Sequence, residues 1–170
     1  MIDLHVHSTF SDGSCTPEEL VRLADRARLS AVALTDHDSI GGLPRFLAAC
    51  ARGGVRGVPG VEISVEGLPP GALKARLPEQ ATLHVLGYFI RTDDPALTAH
   101  IDRLRDGRRR RNQEILRRLN GMGLALSFEE VAGQAGEDNV GRLHFAQALL
   151  ARGYVRTTQE AFDRYLAKGK

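Results

Sequence analysis

The chain has 170 residues, 42% of them hydrophobic and 26% charged, which suits one globular domain with a small insertion and excludes disordered, collagen-like and coiled-coil classes. Aromatic residues are only 5% and tryptophan is absent, which argues against a base-stacking platform for single-stranded nucleic acid. A net charge of +2 conceals a division, with 8 Lys+Arg against 10 Asp+Glu in residues 1–90 and 15 against 11 in residues 91–170.

Met1 to His5 reads as a short apolar strand. Thr16-Pro17-Glu18-Glu19 reads as an N-cap with proline at the first helical position, and Leu20, Leu23, Ala24 and Ala27 then recur at helical spacing. Ala31 to Thr35 is a second strand, Ile40 to Arg52 a second helix closed by Gly53-Gly54, and Val55 to Val61 a third strand broken by Pro59-Gly60. Gly67 to Gln80, with three prolines and two glycines, reads as a loop, and Ala81 to Ile90 as a fourth strand. Such alternation predicts a mostly parallel sheet or barrel. Beyond Asp94-Pro95 the pattern is helical only: to about Met122, Ser127 to Val131, Gly141 to Arg152 and Thr158 to Leu166. Residues 1–94 are thus expected to form a β/α unit and residues 95–170 a helical insertion or cap. Cys15 and Cys50 cannot build a disulfide framework. With no charged-then-apolar leader and no apolar run near ~18 residues, a cytoplasmic protein is expected.

The chemistry-bearing residues gather where the predicted strands end, the edge at which parallel sheets and barrels assemble their sites. His5 and His7 alternate along the first strand and so share a face. Asp12 follows in Ser11-Asp12-Gly13, His37 lies in Thr35-Asp36-His37-Asp38, Glu62 closes the third strand, and His84 stands in the fourth between Leu83 and Val85. Taken singly, Asp12 could be a turn residue, Asp38 a helix cap and Glu62 a solvated charge. Four successive strands delivering nitrogen or oxygen ligands to one edge favour a metal site instead. Its imidazole and carboxylate composition suits Mn²⁺, Fe²⁺ or Zn²⁺ better than thiolate-bound zinc.

In the long helix, Leu97, Ile101, Leu104, Ile115, Leu119 and Met122 form an apolar stripe that also runs through Arg108 and Arg111, while Arg109 and Arg110 point elsewhere. Two readings are open: arginines snorkelling at the edge of a small core, or an inward pair that meets an anion. Gly141-Arg142-Leu143-His144 opens a further helix whose N–H groups also favour an anion, although His144 reads equally well as an ordinary buried histidine. The run Arg108 to Arg111 leaves a basic nucleic-acid binder as another possibility, one whose duplex binding would fall steeply with salt.

His5-Val6-His7-Ser8 with Ser11-Asp12-Gly13, Thr35-Asp36-His37-Asp38, Gly60-Val61-Glu62 and His84-Val85-Leu86-Gly87-Tyr88 resemble successive motifs of the polymerase and histidinol phosphatase (PHP) superfamily. The likeness covers nearly the whole chain. It is strongest to small bacterial phosphoesterases acting on nucleoside 3′,5′-bisphosphates and short RNA 5′ ends. The resemblance implies the N-terminal part of a distorted (β/α)7 barrel with a helical insertion. It implies two or three divalent ions (Mn, Fe or Zn) held by His5, His7, Asp12, His37, Glu62 and His84, with Glu62 as a bridge and Asp36 and Asp38 in supporting or capping roles. It implies hydrolysis of a terminal phosphate by metal-activated water, with no side chain acting covalently. Arg108, Arg111, Arg142 and His144 would grip a non-reacting phosphate of a small nucleotide or short oligonucleotide. No membrane or stable duplex partner is expected. Histidinol-phosphate hydrolysis and an inactive metal-binding interaction module are the alternatives. Family members continue into further β/α units where this sequence stops at Ala167-Lys168-Gly169-Lys170, so the chain is expected to be a fragment that is not a competent phosphatase alone.

Overall fold

The computed structural model describes residues 1–65, 83–135 and 140–166. The expected loop from Gly67 to Gln80 and the terminal Ala167 to Lys170 lie outside the described residues. Strand β1 (Ile2–Val6) leads into helix α1 (Pro17–Arg26), β2 (Ala31–Leu34), α2 (Leu43–Arg52), β3 (Arg56–Val65) and β4 (Leu83–Tyr88).

Each early element follows from a local signal. Thr16 and Glu19 form a reciprocal capping box at the start of α1, with Pro17 in the first turn. The buried face of α1 is Pro17, Val21 and Ala24, whereas Leu23 is 45% exposed, so the stripe lies one position from the expected one. β2 is Ala-Val-Ala-Leu, apolar at every position, as a strand covered on both faces should be. Helix α2 begins at Leu43, not Ile40, because Pro44 fits only the first turn and Gly42 is the N-cap.

The sheet order is β1-β2-β3-β4. β1, β2 and β3 are parallel, but β4 is antiparallel to β3. β3 exchanges partners along its length: Arg56 to Pro59 pair with β2, and Gly60 to Val65 pair with β4. It therefore runs four residues beyond the expected end at Val61, because a second partner takes up its backbone groups where β2 stops. Val21, Val32, Leu34, Leu43, Phe46 and Cys50 form one core between the sheet and α1–α2.

Helix α3 (Pro95–Gly121) starts on Asp94, whose carboxylate accepts from the N–H groups of Ala96 at 2.8 Å and Leu97 at 3.2 Å. It is followed by α4 (Phe128–Ala132), α5 (Arg142–Ala151), α6 (Thr158–Ala161) and a π-helical turn, Phe162–Leu166. Leu119, Leu126, Val131, Phe145, Leu149, Ala161 and Leu166 form a second core of their own. Met122, expected on the packed stripe, is the residue closing α3 and is 56% exposed. Its counterpart on the buried side is Asn112, which the apolar pattern could not have flagged. No helix among the described residues is long and apolar enough to cross a membrane.

Candidate metal centre and anion cavity

Glu62 is the centre of the site. It sits on β3 just beyond the end of β2, where its backbone still bonds to the following loop: its N–H donates to the Asp36 carbonyl at 3.2 Å, and its carbonyl accepts from Asp38 N–H at 2.9 Å. Its side chain is only 6% exposed. Three imidazoles meet its carboxylate, His5 Nε2 at 2.8 Å, His7 Nε2 at 3.0 Å and His84 Nδ1 at 2.7 Å, with His37 Nδ1 at 3.6 Å. His84 reaches this edge because β4 is antiparallel. The start of β4 lies beside the end of β3, His84 pairs with Ser64, and Glu62 is its diagonal neighbour on the same face.

Asp12 is the second carboxylate, 3.1 Å from His7 Nδ1 and 3.6 Å from His37 Nε2. Its loop lies tight against the end of β1 because residue 13 is glycine. A Cβ there would stand 2.1 Å from the His7 carbonyl oxygen, while Gly13 N–H donates to the Ser8 carbonyl at 3.0 Å. The six expected residues are therefore brought together, and their ligating atoms fall into three overlapping sets: His5, His7 and Glu62; His7, Asp12 and His37; His37, Glu62 and His84. Within each set the atoms lie within 4.8 Å of one another. Four imidazoles and two carboxylates form a donor set that fits divalent Zn, Mn or Fe.

The electrostatics are those of charges held together. Burial alone would raise the Glu62 carboxyl, but hydrogen bonds from His5 and His84 and the nearness of His37 hold it below its ordinary value. The hydrogen bond from His7 depresses Asp12 to about 2, against burial. His7 is raised: burial opposes this, but Asp12, through hydrogen bond and charge, with Glu62 and Asp36, outweighs it. Burial lowers His37 despite the same two carboxylates.

Asp36 and Asp38 do different work. Asp36 is 2% exposed and is saturated by Ser8 N–H at 2.7 Å, Ser8 Oγ at 2.7 Å and Ser11 Oγ at 2.6 Å, so it ties the loop after β1 to the end of β2. Asp38 caps no helix, since Gly42 occupies that place in α2. Its Oδ1 accepts from Ser64 N–H at 2.8 Å, and its Oδ2 pairs directly with Arg108 Nη2.

Beside the cluster lies a cavity of about 220 Å³ lined by Asp12, His37, Ser64 and His84 from the sheet side and by Arg108, Arg111, Gly141, Arg142 and Phe162 from the helical side. Arg109 and Arg110 are exposed on the opposite face of α3. His144 is not among the lining residues. It is 4% exposed, and its Nδ1 accepts the Gly141 N–H at 2.9 Å, so it closes the first turn of α5. Burial lowers its pKa, Asp12 opposing and Arg108 reinforcing. Residues the sequence pattern missed include Ser64, which strand alternation from Glu62 would have revealed had β3 been drawn to its full length. Another is Asn112, whose Nδ2 donates to the Val140 carbonyl at 2.7 Å and so fixes the turn leading to Arg142.

A parallel sheet turned at β4, with imidazoles and carboxylates converging at one edge beneath an arginine-lined cavity, defines a metal-binding β/α protein. The model of the PHP domain family matches residues 3–167, and the chain belongs to that family. It is 35% identical over 170 residues to the 3′,5′-nucleoside bisphosphate phosphatase of Chromobacterium violaceum, covering 99% of this chain and 56% of that protein. It is 33% identical to the 5′-3′ exoribonuclease Rnm of Salmonella typhimurium, covering 99% and 54% respectively. A solved structure from Chromobacterium violaceum, described as an amidohydrolase with bound sulfate and no metal, superimposes with a TM-score of 0.85 at 35% identity, over 99% of this chain and 56% of that one. The chain thus spans about half the length of the curated relatives it matches, and its mixed α/β architecture is that of part of a PHP barrel.

Proposed function

We propose that this chain carries the metal-binding and phosphate-binding face of a metal-dependent phosphoesterase whose substrate is a nucleotide with two phosphates or a short 5′-phosphorylated RNA. The observation that carries the reading is the shared cavity, in which Asp12, His37 and His84 face Arg111 and Arg142. Ligand cluster and guanidinium groups at that juxtaposition suit a molecule with one phosphate at each.

His5, His7, Asp12, His37, Glu62 and His84 would hold the ions, with Glu62 shared between ligand sets. Held there, divalent ions would supply Lewis acidity and a water activated near neutral pH. The chain's own residues bind and orient. Arg111 and Arg142 present planar forks of donors suited to a second, non-reacting phosphate. Asp36 holds the loop bearing His7 and Asp12 in place through its three hydrogen bonds. His144 accepts the Gly141 N–H and so shapes the α5 turn that carries Arg142. A relative described with bound sulfate supports an anion site, and the relatives named as nucleotide and RNA hydrolases support the substrate class.

The test is direct. With Mn²⁺ present, the chain should bind a nucleoside 3′,5′-bisphosphate more tightly than the corresponding monophosphate, and any phosphate release should require the ion. Equal affinity for the two nucleotides, or preference for duplex nucleic acid that falls steeply with salt, would overturn the reading.

A further inference from the structure

Arg108 lies on the face of α3 that meets the sheet, and although it lines the cavity, its Nη2 is already engaged by groups of the protein. Its Nη2 pairs with Asp38 Oδ2 and lies 3.4 Å from Ser64 Oγ, and its side chain is 12% exposed. Its Nη1 is 3.7 Å from where a Cβ would stand on Gly141. One guanidinium therefore touches the loop after β2 and strand β3 and lies beside the turn that opens α5. Asn112, one helical turn further on, holds the Val140 carbonyl of that same turn at 2.7 Å.

Asp38 is built to receive it. The residue is 3% exposed and has φ of +48°, a left-handed conformation that L side chains adopt at a cost. That conformation aims one carboxylate oxygen at Ser64 N–H, 2.8 Å away, and the other at Arg108. The hydrophobic clusters of the two halves are separate, so apolar packing within them does not fix how the halves meet. A buried ion pair fixes geometry well because misplacing it leaves a charge unpaired.

We infer that the Asp38–Arg108 pair is a clasp that sets the position of α3 and the α5 turn over the ligand cluster, making Asp38 a positioning residue for Arg111 and Arg142. Arg108 serves the anion cavity by holding its wall, not by contacting a phosphate. The inference rests on the proposed anion site for its binding readout, and on backbone exchange for a readout independent of it.

The test uses the full chain, Asp38→Asn, Arg108→Gln and the double variant, with inorganic phosphate as probe in the presence of Mn²⁺. Asn keeps the acceptor for Ser64 N–H and tolerates positive φ, so the fold is retained while the charge pair is lost. Asp38→Asn should weaken phosphate about tenfold while Mn²⁺ affinity stays within about threefold, and the double variant should lose little more than either single one. Amide exchange over residues 101–112 should quicken in both single variants. Losses that multiply in the double variant, or a parallel fall in Mn²⁺ affinity, would overturn the clasp, as would unchanged phosphate binding with unchanged exchange. If the unmodified chain binds no phosphate, the anion site fails, and exchange alone then decides the clasp: faster supports it, unchanged overturns it.

Discussion

Glu62 Oε1 lies 2.7 Å from His84 Nδ1 although the two side chains stand on strands that run in opposite directions. The contact is diagonal across the β3–β4 ladder, and it brings a third imidazole to a carboxylate that already meets His5 and His7.

Replacing Glu62 with Gln removes the charge and one of the two acceptor oxygens at that meeting point. We expect Mn²⁺ or Zn²⁺ affinity to fall by roughly a hundredfold, measured by calorimetry on chelator-stripped protein. Retained affinity would show that the imidazoles suffice without the acid.

Metal should stabilise the fold without being required for it, because the cluster's imidazoles are already bonded to Glu62 and Asp12. At an ion concentration a hundredfold above its dissociation constant, linkage gives about 2.7 kcal/mol, or a rise in Tm of roughly 5–10 °C for a chain of this size. A thermal melt with and without chelator checks this, and complete unfolding on chelation would refute it.

Arg111→Ala should weaken a nucleoside 3′,5′-bisphosphate at least about tenfold and a monophosphate far less, since only the former has a second phosphate to lose. Arg109→Ala is the control. Arg109 is exposed and, among the described residues, pairs with Asp106 at 3.6 Å, so its removal should change neither affinity. Equal losses for both ligands in Arg111→Ala would place that residue outside the phosphate grip.

His144 offers a pH test. Burial lowers its pKa below 6.5, so between that lowered value and 6.5 the unfolded chain binds more protons than the folded one. Its contribution to stability is therefore present above about pH 6.5 and is lost as pH falls. Gln at this third helical position can still accept the Gly141 N–H but does not titrate. Denaturant melts of His144→Gln should match the unmodified chain at pH 7.5 and exceed it in relative stability at pH 5.5; parallel pH profiles would contradict the assignment.

Gly13→Ala should destabilise by about 1–3 kcal/mol or more, because the added carbon meets the His7 carbonyl oxygen at 2.1 Å and must push the Asp12 loop away. Its metal affinity should fall in parallel, which calorimetry would show.

The candidate ligand residues His5, His7 and Glu62 were legible in the sequence because strand ends and alternation are periodic signals, whereas His84, at the start of its strand, comes to the same edge only because β4 is antiparallel. What was not legible depended on long-range pairing. Nothing local tells that β3 outlasts β2 or that β4 turns antiparallel, so the local pattern ends the strand at Val61 and does not reach Ser64. Asp38 read as a cap because a carboxylate shortly before a helix usually is one, and its partner stands 70 positions away. Arg108 and Arg111 share a stripe and both line the cavity, yet only tertiary contacts show that Arg108 is engaged by Asp38.

The exchange of partners midway along β3 makes the site and the fold answer to the same error. Side chains alternate along a strand, so a slip of one residue in the β3–β4 ladder would turn Glu62 to the opposite face and bring Val61 or Ile63 in its place. Val61 is 2% exposed, so the same slip would drag an apolar side chain out of its packing. A misaligned chain would lose its core and its acid together. Hydrophobic packing thereby proofreads the chemistry: a population that has folded to native stability has, by that fact, its carboxylate among the four imidazoles.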